Sequence, residues 1–159
     1  MKQLVLCRHA KSSWKYPLKD VYRPLNKRGL MQAAEMARRC ELLPDLVLCS
    51  PATRAWSTAL CYFQELGWNY EVLRMEPGLI EASKAQLIEL LQNVDESVDT
   101  LFLFGHNPGF NDLLSYLSQS PLPTENLVTS GRVVLSLPYS TWKSLELDSA
   151  TIIDWTVPQ

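Results

Sequence analysis

Apolar residues fall along this chain in short unbroken runs, separated by stretches with three- and four-residue spacing, which predicts strands and helices in turn. Leu4 to Cys7 is a continuous apolar run stopped at Arg8, the pattern of a short strand covered on both faces. Asn26 stands where it can cap a helix whose predicted buried stripe is Leu30, Ala33, Ala34, Ala37 and Cys40, and Pro44 closes that unit. The run "DLVLCS" (45–50) repeats the strand pattern, and Ser50 with Pro51 predicts the cap and first residue of a helix reaching Gly67. A third strand is expected over Tyr70 to Met75, and Ser83 with Gln86 spells a capping box ahead of Leu87 to Leu91. "TLFLFG" (100–105) is another short strand, followed by Asn107 and Pro108 as a second predicted cap and first helical residue, with Phe110, Leu113, Leu114 and Leu117 facing inward. Beyond Pro123 the pattern changes, and "GRVVLSLP" and "ATIIDWTV" predict two more strands, an antiparallel edge on the sheet. The expectation is an α/β fold: a three-layer α/β/α sandwich with a mostly parallel central sheet and helices on both faces. With no repeat, low-complexity tract or linker, residues 1–159 read as one domain.

Charge narrows the choice of partner. The chain has 15 Lys and Arg against 17 Asp and Glu, a net charge of -2, so no global field favours nucleic acid or membrane. The first apolar run is too short for a secretory h-region, and no stretch has the length of a membrane span. The 4 cysteines (Cys7, Cys40, Cys49, Cys61) form no CxxC pair and have no His at metal-ligand spacing, so reduced, mostly buried thiols and a cytoplasmic location are expected.

Three predicted strands run directly into polar residues: Arg8 and His9 after the first, Ser50 with Arg54 after the second, His106 and Asn107 after "TLFLFG". In a parallel sheet the carboxyl ends of the strands share one edge, where ligands bind, so these groups should meet. Arg54 lies one turn into its helix, but helical side chains lean toward the N-terminus, so its guanidinium can reach the same edge. Both histidines of the chain fall there. Two arginine forks, two imidazoles and helix N-termini suit a phosphoryl group. Neutral imidazole is a nucleophile, and neighbouring cations favour that neutral form. Each position alone has a plain structural explanation: a capping histidine, a surface arginine, a turn at "GHNPG". Their convergence is what points to chemistry. Lys11, Ser12 and Ser13 stand at the rim, Asn107 serves either phosphate or the helix, and Trp14 either stacks on substrate or packs the loop.

"LCRHAKSSW", "RPLNKRG", "CSPATRAWSTA" and "LFGHNPG", in this order and spacing, resemble the histidine phosphatase superfamily, and within it the short phosphohistidine phosphatases of the SixA-like branch. The resemblance runs from about residue 3 to residue 118, and the alanine at position 10, where the wider superfamily usually has glycine, favours that branch. It implies a phosphoglycerate mutase-like fold and a metal-independent, cofactor-free phosphatase. His9 would be the nucleophile, with Arg8, Arg54 and His106 binding and stabilising the phosphoryl group. Apart from the resemblance, their positions beside the nucleophile and at a helix start make Lys11, Ser12 and Asn107 further candidate contacts to substrate. Larger members of the family supply an acidic proton donor, for which Glu81 in "GLIEAS" is the one candidate in the matching region; it is either that acid or a solvated turn residue. The absence of a long insertion favours an open site for a phosphorylated protein. A small phosphomonoester, and a module that binds phosphorylated partners without turnover, are the alternatives.

Overall fold

The chain is described here by a computed structural model covering residues 1–159. Six strands form one sheet: β1 (Lys2–Arg8), β2 (Leu46–Cys49), β3 (Leu73–Met75), β4 (Thr100–Gly105), β5 (Arg132–Leu137) and β6 (Thr151–Thr156). Their order across the sheet is β3-β2-β4-β1-β5-β6. The first four are parallel, while β5 runs antiparallel to β1 and β6 antiparallel to β5, which is the predicted antiparallel edge.

Strand residues point alternately to the two faces, so each run divides into two sets. Val5, Cys7, Val47, Cys49, Phe102 and Phe104 face α1 (Lys27–Arg38) and α2 (Thr53–Leu66), joining Met36, Ala55, Tyr62 and Phe63 in one core layer. Leu4, Leu6, Leu101 and Leu103 face the other side, where α3 (Lys84–Gln92) and α4 (Gly109–Leu117) contribute Leu87, Leu91, Phe110 and Leu114. Both faces of the sheet are therefore covered, and the uninterrupted apolar strand runs are explained.

Several predicted boundaries move. The buried stripe of α1 is Gly29, Ala33, Met36 and Ala37; Leu30 is exposed and Ala34 half-buried, because the stripe is rotated toward Met36. Gly29 packs so closely on the loop after β1 that a Cβ there would lie 2.1 Å from the Lys11 carbonyl oxygen. Helix α2 starts at Thr53 rather than Pro51, with the Ser50 hydroxyl accepting from the Ala52 amide before the helix begins. Tyr70 to Val72 form a short 3-10 turn, since the Asn69 side chain accepts from the Glu71 amide, and the strand is limited to Leu73–Met75. Helix α4 begins at Gly109, yet Asn107 still serves its first turn, its Oδ1 accepting from the Asn111 amide at 3.1 Å. The capping box at Ser83 and Gln86 is as expected, and α2 ends where expected, at Gly67, whose backbone is left-handed.

Candidate active site

Strands β2, β4 and β1 are neighbours, and their carboxyl ends coincide: Cys49 and Cys7 both lie opposite Phe104. The ladders extend one residue further, through His9 N to Gly105 O at 3.0 Å and Ser50 N to Phe104 O at 3.0 Å. His9, Ser50 and His106 are thus delivered to one edge by backbone pairing. The ring centroids of His9 and His106 are 5.3 Å apart.

Each imidazole is held by one nitrogen. His9 Nδ1 lies 2.8 Å from the Ala10 carbonyl oxygen. A carbonyl can only accept, so Nδ1 carries the proton and Nε2 keeps its lone pair. The Ala10 amide in turn donates to Thr58 Oγ1 at 2.9 Å, tying the loop to α2. His106 Nε2 lies 2.7 Å from Ser50 Oγ, and its Nδ1 is buried without a partner. Burial pushes the His9 pKa down to about 3, with His106, Arg54 and Arg8 adding to the effect. Burial likewise lowers His106 to about 4, helped by Arg54 and Arg8. Both rings are neutral at physiological pH.

The arginines are braced from outside. Arg8 donates to the Leu127 carbonyl at 2.9 Å, and Asn107 Nδ2 donates to the same oxygen at 3.0 Å. Arg54 donates to the Asp20 backbone oxygen at 2.8 Å and to its Oδ2 at 3.0 Å. The Nε atoms of Arg8 and Arg54 are buried and unpaired. Asp20 also accepts from Arg23 Nε at 3.0 Å, and Arg23, then Arg54, holds its carboxyl below the usual range. Arg23 is only 7% exposed; it donates to Ser12 Oγ and lies under the Trp14 ring at 3.5 Å.

These groups surround a cleft of about 320 Å³ lined by Arg8, His9, Lys11, Ser12, Trp14, Arg23, Arg54, His106, Asn107 and Thr129. All the predicted phosphoryl-binding positions therefore meet. Ser13 does not line it; its hydroxyl accepts from the Lys15 amide instead. Glu81 is not brought to His9 either. It is exposed, engages in no hydrogen bond or ion pair, and lines an adjoining chamber of about 630 Å³ that shares Arg54, His106 and Asn107 with the cleft. No three His, Cys, Asp or Glu side chains converge as a metal-ligand set. The cysteines are free, with Cys7, Cys40 and Cys49 buried and Cys61 partly so.

Ser50, read from the sequence both as a helix cap and as a strand-end group expected at this edge, meets His106 through its hydroxyl. Sequence reasoning overlooked Asp20, Arg23 and Thr58, and the segment after α4: the Leu127 carbonyl braces Arg8, Ser130 N donates to His9 O at 3.0 Å, and Arg8 N donates to Gly131 O at 3.1 Å. Arg23 opens the quoted "RPLNKRG" stretch, which was the available signal for it. Backbone acceptors leave none.

Residues 4–99 match the family model of the histidine phosphatase superfamily, branch 1. An uncharacterized protein of Mycobacterium tuberculosis is 31% identical over 163 residues, covering 96% of this chain and 99% of the relative. An uncharacterized chloroplast protein of Arabidopsis thaliana is 31% identical over 154 residues, covering 89% of this chain and 69% of its own length. Among solved structures, the protein histidine phosphatase SixA complexed with tungstate superposes with a TM-score of 0.82 at 22% identity, covering 98% of this chain and 97% of that one, and so shares the fold. Two neutral histidines at adjoining strand ends, flanked by two arginines, are what that family membership leads one to look for: the chain belongs to branch 1 of the histidine phosphatase superfamily.

Proposed function

We propose that residues 1–159 act as one catalytic domain that hydrolyses phosphohistidine on a protein, through a phosphohistidine intermediate on His9 and without a metal ion. The observation that carries this reading is the His9 ring: its proton is committed to Ala10 through Nδ1, and its free Nε2 belongs to a cleft walled by Arg8, Arg54 and His106. SixA, which shares the fold, was solved with tungstate, a tetrahedral oxyanion shaped like phosphate.

In the first step Nε2 attacks phosphorus in line. The P–N bond to the substrate imidazole breaks, and its electron pair returns to that ring, which carries a proton on its other nitrogen and so leaves as neutral imidazole. His9 becomes an N-phosphorylated imidazolium whose Nδ1–H still points at the Ala10 carbonyl, so no proton has to move. With an anion present, Ser50 donates to His106 Nε2, which places the His106 proton on Nδ1 facing the oxyanion. Arg8 and Arg54 supply the positive charge that stabilises the equatorial oxygens. In the second step water attacks phosphorus, the P–Nε2 bond breaks with its electrons returning to His9, and both protons of the water leave with the phosphate as dihydrogen phosphate.

The leaving group explains why a carboxylic acid is dispensable. An alkoxide needs a proton in the transition state, whereas a phosphohistidine ring already protonated on its second nitrogen departs as neutral imidazole. The test is phosphate release, with EDTA present, from a histidine-phosphorylated protein domain and from a phosphomonoester, comparing wild type with His9→Ala. Rapid release from phosphohistidine, little from the ester and none from the variant is expected. Preference for the ester would make this a small-molecule phosphatase using the adjoining chamber, and no release from either would reduce the site to phospho-ligand binding.

A further inference from the structure

The loop between β1 and α1 leaves the cleft wall at Trp14 and rejoins it at Arg23. Its two ends are pinned together, Ser13 N donating to Pro24 O at 2.8 Å and Asn26 N to Lys11 O at 3.0 Å, so residues 14–23 form a fixed lip over the site. This lip carries four large apolar side chains in the open: Trp14 is 79% exposed, Tyr16 51%, Leu18 48% and Tyr22 59%. Single exposed apolar residues are ordinary, but four within nine positions beside a reaction cleft mark an interaction surface. Tyrosine and tryptophan are also the side chains that dominate binding energy at interfaces. Its charge is one-sided. Lys11, Lys15 and Lys19 are exposed, while the one carboxylate of the segment, Asp20, is engaged by Arg23 and Arg54.

We propose that the lip at Tyr16, Leu18 and Tyr22, with Lys15 and Lys19, docks the folded, acidic protein domain that carries the phosphohistidine. This rests on the phosphohistidine reading above and deepens it. His9 is 8% exposed at the bottom of the cleft, so a phosphohistidine that reaches Nε2 brings the rest of its domain down onto the rim. The lip is therefore covered by substrate in every turnover, and a lysine-bearing surface selects an acidic one. A small phosphorylated molecule would leave it bare.

The test compares wild type with the triple variant Tyr16→Ser, Leu18→Ser, Tyr22→Ser, and separately with Lys15→Glu, Lys19→Glu. The two substrates are an acidic histidine phosphotransfer domain phosphorylated on its surface histidine, and N-phosphoimidazole. Both variants should raise KM for the domain at least tenfold with kcat unchanged, and leave turnover of N-phosphoimidazole as in wild type. Unaltered thermal unfolding midpoints exclude a folding defect, since all five residues are exposed. Raising the salt concentration should raise KM for the domain alone. Equal losses on both substrates, or no change on either, would overturn the docking surface. Wild type that cleaves N-phosphoimidazole but spares the domain would overturn it too, while leaving the His9 chemistry standing. Failure to cleave either one would remove the catalytic reading and this inference with it.

Discussion

Ser50 Oγ and His106 Nε2 lie 2.7 Å apart at the ends of neighbouring parallel strands, and Ser50 is fully buried. The same hydroxyl oxygen accepts from the Ala52 amide at 3.2 Å, so its position is set by the entry to α2. Ser50→Ala removes the group that selects the His106 tautomer while leaving both rings in place. A lost hydrogen bond of ~1.4 kcal/mol corresponds to about a tenfold fall in kcat/KM. Steady-state kinetics on a phosphohistidine substrate checks this, and an unchanged kcat/KM would remove Ser50 from the site.

The two histidines also make a pH prediction. Their pKa values of about 3 and about 4 lie below the ordinary 6.5, so both rings stay neutral as pH falls from 8 to 5. Because the chain has 2 histidines, its imidazole NMR spectrum holds two sets of signals, and neither should titrate in that range in the free protein. Stability follows the same sign. Below pH 6.5 the unfolded chain takes up protons that the native chain refuses until about 4 and 3, so these two groups progressively destabilise the fold as pH drops through that window. A ring titrating near 6.5 would contradict the burial that sets the mechanism.

Arg54 and Asp20 test the cationic wall. Arg54→Ala deletes a preorganised charge, and loss of about 3 kcal/mol, or roughly a hundredfold in kcat/KM, is expected. Asp20→Asn leaves the backbone acceptor of Arg54 intact but removes the Oδ2 contact, so a smaller loss of about fivefold is expected. Reversed ranking of the two variants would mean that Arg54 serves the loop rather than the phosphoryl group.

The parts of this site legible in the sequence are those where a strand pattern and a reactive side chain adjoin. The runs ending at Arg8-His9, at Ser50 and at His106 each announce their own strand, and parallel order then fixes where the side chains go. Arg54 was legible because helical side chains lean backward. What stayed hidden acts through the backbone or across long separations in sequence. Leu127 braces Arg8 across 119 positions with a carbonyl that any residue type possesses. Asp20 meets Arg54 across 34 positions, and neither residue type nor spacing announces it. The misplaced stripe of α1 has a different origin: Leu30 and Met36 are both apolar, and the face that turns inward is the one on which Gly29 lets the helix approach Lys11 closely.

Glu81 separates the two substrate classes. Its carboxylate is exposed and lines the chamber beside the cleft, with a backbone φ of 50° in the left-handed region. A proton donor must come within about 3 Å of the leaving atom, directly or through one water. A phosphohistidine ring already protonated on its second nitrogen departs without help, so Glu81→Gln should change its turnover by less than about threefold. For an ester the leaving oxygen needs a proton, and any slow ester hydrolysis should fall about a hundredfold, the lower range of general acid catalysis, if Glu81 supplies it. Measuring kcat for both substrates in the Glu81→Gln variant decides the matter. A large loss on phosphohistidine would make Glu81 the general acid after all, and would bring the adjoining chamber into the catalytic site.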